Sequence, residues 1–176
     1  AHTSDNCCYM CAPFYEARPD ASHEINARAP ETRFGPGGRH FDDLVLHPVL
    51  DVEVWENPFL KGLRERARIH IADQGDGNHF AYVGRSSARG TTCLVTHHGS
   101  RGPGAGLYRL GMRAAEKWRR KLSEGVLKQN AWIPADSDEG VAYWDALQLI
   151  RAWTKANHTC LHQAAAAEAG AEVAER

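Results

Sequence analysis

No stretch of this chain approaches the roughly 20 consecutive apolar residues that cross a bilayer, and its start lacks the charged, apolar and small-residue zones of a secretory signal. The expectation is a soluble cytoplasmic protein. The chain also lacks net charge, at −1 formal at pH 7, so no molecule-wide field announces a nucleic acid or a membrane surface. Internal repeats are absent. There is no second C-x-x-C to join Cys8 and Cys11 in a four-thiolate zinc site, and no Gly-Lys-Ser/Thr to make a Walker A loop.

Against those absences stand two abundances. A chain of 176 residues buries a core without covalent staples. The five cysteines, an odd number with three crowded between positions 7 and 11, therefore point to metal or catalytic use rather than a disulfide framework. Ten histidines in this length are the other unusual feature. Charge is uneven: "KGLRERARIH" and "RRKLSEGVLK" are basic, and the end is acidic and alanine-rich. Basic runs of this kind are ordinarily solvated helix faces and only permit a phosphate-bearing partner.

The pattern predicts an α+β fold: a mixed sheet with metal- and phosphate-binding loops at strand ends, flanked by helices. The opening stretch to about Tyr15 reads as a strand and turn, and residues 18–40 as a long loop rich in proline and glycine. "HFDDLVLHPVL" is apolar enough to pack. "NPFLKGLRERARIH" reads as an amphipathic helix with asparagine as cap and proline in the first turn. "NHFAYVG" and "TTCLVTHH" read as neighbouring strands. The spacing of Leu107, Leu110, Ala114, Ala115, Trp118 and Leu122 predicts a helix, and another begins near Ser137, capped by "SDEG". Residues 1–163 are expected to form the domain and 164–176 a frayed or disordered tail. Trp118, Trp132, Trp144 and Trp153 are assigned to helix packing, Cys93 to a buried small apolar role, and His40, His47 and His70 to ordinary polar roles.

The chemistry concentrates in two glycine-rich stretches. In "DQGDGNHF", Gly75 and Gly77 permit a sharp turn that delivers Asn78 and His79 to the mouth of a strand. In "THHGSRGPGAG", a strand ends in His97 and His98, and a turn bearing Ser100 and Arg101 leads into a helix start, the usual construction of a phosphate-binding nest. Adjacent histidines on a strand face opposite ways, so only one of the two is expected to be a core residue. Asp5 and Cys8, spaced D-x-x-C, together with His79 and one of His97 or His98, form a mixed carboxylate, thiolate and imidazole set suited to Mn²⁺ or Zn²⁺. A thiolate also bridges metal pairs of the kind used in phosphoryl chemistry.

These motifs resemble those of the RtcB-type RNA ligases, the tRNA-splicing ligases. "GDGNHF" is similar to the family's G-x-G-N-H-F. "HHGSRGPG" is similar to H-S-G-S-R-G-x-G, with His98 in place of serine. "YWDALQLIRAWTKANH" resembles a late helical motif, and Asp5 to Met10 resembles D-I-G-C-G-M without its glycines. The resemblance implies an enzyme that uses GTP and Mn²⁺ to join RNA 3′-phosphate or 2′,3′-cyclic phosphate ends to 5′-hydroxyl ends, with two ions of which Zn²⁺ can replace one. It implies RNA ends, GTP and an archease-like activator as partners. It implies Cys8 as bridging thiolate, Asp5, His79 and His97 as further ligands, and Asn78, Ser100 and Arg101 at phosphate.

The sequence departs from the family at Tyr82, where a glutamate is expected, and it contains neither the third metal histidine nor the H-G-A-G-R stretch whose histidine becomes guanylylated. His158 and His162 are the candidate substitutes. The chain is therefore expected to be the middle of a ligase, inactive in guanylylation alone. Two other readings stand beside this one: a non-catalytic module binding metal and RNA or phosphate, and a thiol enzyme using Cys8 with His97 as base.

Overall fold

In the computed structural model the described residues are 8–11, as backbone, and 44–75, 79–87, 90–168 and 170. Within them lie strands β1 (Cys8–Cys11), β2 (Phe80–Arg85) and β3 (Thr92–His98) and helices α1 (Arg64–His70), α2 (Arg101–Leu122) and α3 (Asp138–Glu168). Short 3-10 turns at Pro48–Leu50, Glu53–Glu56, Lys61–Leu63 and Lys128–Asn130 connect them.

The strands form one three-stranded sheet in the order β1-β3-β2. Both pairings are antiparallel, which corrects the expected mixed sheet: β2 and β3 are joined by a short glycine-containing connection, which suits an antiparallel hairpin and is too short for a parallel crossover. In β3 the central position lets both faces be covered. Leu94 packs against Ala165 and Ala166 of α3, and His97 on the alternate face stacks against Phe80. Hence His97 and His98 are both buried, where the sequence reading allowed only one.

The main core is helical. Trp55, Leu60, Leu63, Ala67, Leu107, Ile150 and Trp153 pack in one cluster, and the two buried indoles find acceptors at the carbonyls of Val49 and Ala67, 2.8 and 3.2 Å away. This satisfies their N–H groups inside an apolar environment. Trp153 is thus core, as expected. Trp118 is half-buried, donating to Glu139 at 2.6 Å. Trp132 and Trp144, at 39% and 62% exposure, are surface residues instead.

Helix α1 is shorter than the sequence pattern suggests. Asn57 does cap the turn, its Oδ1 accepting the Phe59 N–H at 2.9 Å. From Asn57 to Leu63, however, the backbone closes i→i+3 bonds such as Leu60 N to Asn57 O and Leu63 N to Leu60 O, and α-helical geometry begins only at Arg64. Helix α2 begins earlier than expected, so most of the glycine-rich stretch is helix. Its small residues serve close approach: a Cβ at Gly102 would lie 2.9 Å from the His70 ring, and one at Gly106 or Gly111 would overlap Leu63 or Tyr143. Ser137 caps α3 by accepting the Gly140 N–H at 3.0 Å. Helix α3 then runs on through Glu168, so residues 164–168, expected to fray, belong to a helix whose Ala165 and Ala166 are buried. Cys93 is partly rather than fully buried, its Sγ 3.5 Å from the Gly84 carbonyl.

Candidate metal and phosphate site

The candidate site forms where β3 ends. His97 stacks on Phe80 with ring centroids 5.6 Å apart and meets His79 edge-on at 6.0 Å. His79 Nε2 accepts the N–H of Gly99 at 3.2 Å, pinning the segment before β2 to the turn after β3. Imidazoles are ligand types suited to Mn²⁺ or Zn²⁺.

On the other face, the His98 ring lies on His158 with centroids 3.4 Å apart. His98 Nδ1 is 3.3 Å from Asn157 Nδ2 and 3.4 Å from the Gly99 carbonyl oxygen. Thr96 Oγ1 joins His158 Nδ1 at 3.0 Å and His162 Nε2 at 2.8 Å; its hydroxyl donates to one ring and accepts the N–H of the other. Burial lowers the pKa of His98 to about 3, with further lowering by the neighbouring His158. Burial likewise lowers His158 and His162 to about 4, His158 being lowered further by His162. The group is therefore uncharged at neutral pH.

A second cluster lies beside it. Asp73 is buried, and its Oδ2 accepts from His70 Nδ1 at 3.1 Å and from an Arg101 guanidinium N–H at 3.0 Å, while its Oδ1 accepts the Gly75 N–H at 3.1 Å. Burial raises the carboxyl pKa, but the hydrogen bonds from His70 and Arg101, the Arg101 charge and the Gly75 N–H outweigh it and leave it lowered. Asn157 of α3 ties this cluster to the histidines: its Oδ1 accepts the Asp73 N–H and its Nδ2 donates to the Asp73 carbonyl, both at 3.2 Å, and the same amide reaches His98. Arg101 has φ +48°, a left-handed conformation unusual for arginine, and Gly75 at φ +83° lies against the Arg101 guanidinium, where a Cβ would overlap it.

Of the residues singled out from the sequence, His79 and His97 come together, Arg101 opens α2 from a buried ion pair, and Ser100 lies just before that helix, its hydroxyl against Gly104. Asp5 and Asn78 lie outside the described residues, as does His40. The backbone of Cys8 pairs in register with His98, and Tyr9 with His97. Among the described residues no group of three or more His, Cys, Asp or Glu side chains converges as a metal site. Asp73, Asn157 and the pairing of His70 with Asp73 were not recognised in the sequence. The only local signal was the i, i+3 spacing of His70 and Asp73; the link to Asn157 joins segments remote in sequence.

No helix among the described residues is long and apolar enough to cross a membrane. No curated protein matches the chain. The family model described as tRNA-splicing ligase RtcB matches residues 54–175, a span that includes His79, His97, Arg101, Asn157 and His158 and begins after Asp5 and Cys8. That match covers more than half of the sequence, and the chain belongs to the RtcB family of tRNA-splicing ligases.

Proposed function

We propose that the chain carries a metal-dependent RNA-end site of an RNA ligase that joins 3′-phosphate or 2′,3′-cyclic phosphate ends to 5′-hydroxyl ends with GTP. The observation that carries this reading is the meeting of the His79 and His97 rings at 6.0 Å, with the Gly99 N–H bonded to His79 and Arg101 following directly. Asp5, Cys8, His79 and His97 would hold Mn²⁺, with Zn²⁺ able to replace one of two ions. A bound divalent ion supplies neutralisation of charge developing on the phosphoryl group. Asn78, Ser100 and Arg101 would orient phosphate oxygens, Arg101 by paired N–H donors. RNA ends, GTP and an archease-like activator are the proposed partners, in the cytoplasm.

Guanylylation is not expected of these 176 residues alone. They contain no H-G-A-G-R stretch. His158 and His162, the candidate substitutes, are buried between α3 and β3 and bonded to Thr96, so neither is presented to a nucleotide. These observations also support the second reading, a module that binds metal and RNA phosphate without turnover.

The test is incubation with labelled GTP and Mn²⁺ beside an electron paramagnetic resonance titration of Mn²⁺. The expected outcome is Mn²⁺ binding that weakens in His97→Ala and no covalent GMP on the chain. A covalent adduct would overturn the assignment of guanylylation elsewhere. Failure to bind Mn²⁺ would remove the metal site. RNA binding that survives chelation and falls steeply with salt would favour the non-catalytic module.

A further inference from the structure

The five tryptophans divide by what their N–H groups do. Those of Trp55, Trp118 and Trp153 donate to Val49, Glu139 and Ala67, whereas among the described residues the indoles of Trp132 and Trp144 have no acceptor. These two rings line an open groove of about 510 Å³ between α2 and α3, together with Tyr108, Met112, Tyr143 and Leu147, and none of the residues lining it is charged. Broad apolar faces with N–H and O–H groups at their edges suit a flat heterocycle that stacks and also hydrogen-bonds.

The surroundings of the groove are cationic. Arg109 follows Tyr108 directly, and Arg151 and Lys155 follow Leu147 at successive turns of α3. All three are exposed, and none is paired among the described residues. Gly104 lies against Ile150 and Gly111 against Tyr143, so α2 and α3 run antiparallel. Arg151 and Lys155 therefore lead from the groove along α3 toward Asn157, which touches both Asp73 and His98. Tyr108 itself is two turns of α2, about 10 Å, from Arg101. The larger hollow across α2 mixes Arg113 and Lys117 with Asp136, Asp138 and Glu139 and offers a polyanion no such attraction.

We propose that this groove takes unpaired bases of the RNA strand whose phosphate end occupies the Ser100–Arg101 turn. Bases stack on Trp144, Trp132 and Tyr108, while Arg109, Arg151 and Lys155 neutralise the phosphates between the groove and the end site. Stacking on an aromatic face is open to every base, so the groove selects single strands without fixing their sequence. Duplex RNA, whose bases are already stacked on one another, is excluded. The inference rests on the RNA-end reading of the site, and the cationic flank is what favours RNA over a protein segment in an apolar groove.

The test adds a labelled uridine hexamer to the full chain in the presence of chelator and follows both its anisotropy and the tryptophan emission. The expected result is quenched emission and binding that falls with salt. Affinity should be about tenfold lower in Trp144→Ala and recover in Trp144→Phe, which restores a ring to stack on. The same hexamer with a 3′-phosphate, with and without Mn²⁺, tests the end site separately. If the wild-type chain and Trp144→Ala bind the hexamer equally and emission is unchanged, the groove holds no bases; a 3′-phosphate that still strengthens binding with Mn²⁺ would then leave the RNA-end reading standing. If the hexamer quenches but the 3′-phosphate adds nothing with Mn²⁺, the RNA-end reading fails and the proposed link between groove and turn fails with it. Self-association that Trp144→Ala abolishes, without quenching by the hexamer, would assign the groove to a second copy of the chain. The emission measurement needs no variant, so a misfolded Trp144→Ala leaves the proposal decidable.

Discussion

Gly75 and the buried histidines show how much one side chain decides. At φ +83°, Gly75 adopts a conformation unfavourable for any residue with a Cβ, and the space a Cβ would need is filled by the Arg101 guanidinium. Gly75→Ala is expected to destabilise the chain by about 1–3 kcal/mol, measured by urea unfolding, because backbone strain and displacement of a buried ion pair act together. The histidines set the acid limit. Burial holds the folded pKa of His98 at about 3 and those of His158 and His162 at about 4, below the ordinary value of 6.5. Below pH 6.5 the unfolded chain therefore takes up protons that the folded chain refuses. Stability is full above that pH and is lost as pH falls toward 4. Urea midpoints at pH 7.5, 5.5 and 4.5 should fall in that order, and flat midpoints would contradict buried neutral rings. The sequence disclosed the histidine count and the His97–His98 pair. It did not disclose the burial of His158 and His162, because that depends on α3 crossing β3 at Thr96.

At the scale of elements, two glycines in helical segments play opposite parts. Within a helix, replacing glycine by alanine ordinarily stabilises by about 0.5–1 kcal/mol. Gly62 has open space where its Cβ would go and no positive φ, so Gly62→Ala is expected to raise the melting temperature. Gly111 faces the Tyr143 ring at a distance a Cβ cannot share, and Gly111→Ala is expected to lower it, by about 1–3 kcal/mol of stability. Calorimetry on the two variants reads the sign directly. Both residues look alike in the sequence, as single glycines in helical patterns. The difference lies in the crossing of α2 and α3, which no local pattern encodes. Helix α3 itself was legible from its serine cap and apolar spacing, whereas its last turns were hidden by low complexity: Ala165 and Ala166 read as tail until Leu94 is placed opposite them.

For the whole molecule, Asn157 is one of the residues that join the helical part to the small sheet. Its amide binds both backbone groups of Asp73 and reaches His98. Asn157→Leu removes these bonds while leaving buried polar partners behind, and a loss of about 2–4 kcal/mol is expected. Because the same residue joins the two clusters, Mn²⁺ binding should weaken in this variant although Asn157 is not proposed as a ligand. Titration with Mn²⁺ under folding conditions checks that; unchanged affinity would mean that the two clusters are independent. The α+β class and the neighbouring strands β2 and β3 were readable in the sequence, since they depend on local patterning and turn chemistry. The union of the turn after α1, β3 and α3 at one amide was not, since it is a property of the packed chain.

One pairing also bears on how the chain reaches this state. Strand β3 receives β2 from a neighbouring hairpin but receives β1 from near the opposite end of the described sequence, Cys8 opposite His98. Hairpin contacts close quickly, and contacts between distant segments bear a larger loop entropy and form slowly. Until β1 docks, one side of β3 is an open row of backbone donors and acceptors, able to recruit a strand from another molecule. The strand bearing Cys8 thus acts as a guard on the sheet edge, and refolding yield should depend on protein concentration most steeply before that strand arrives.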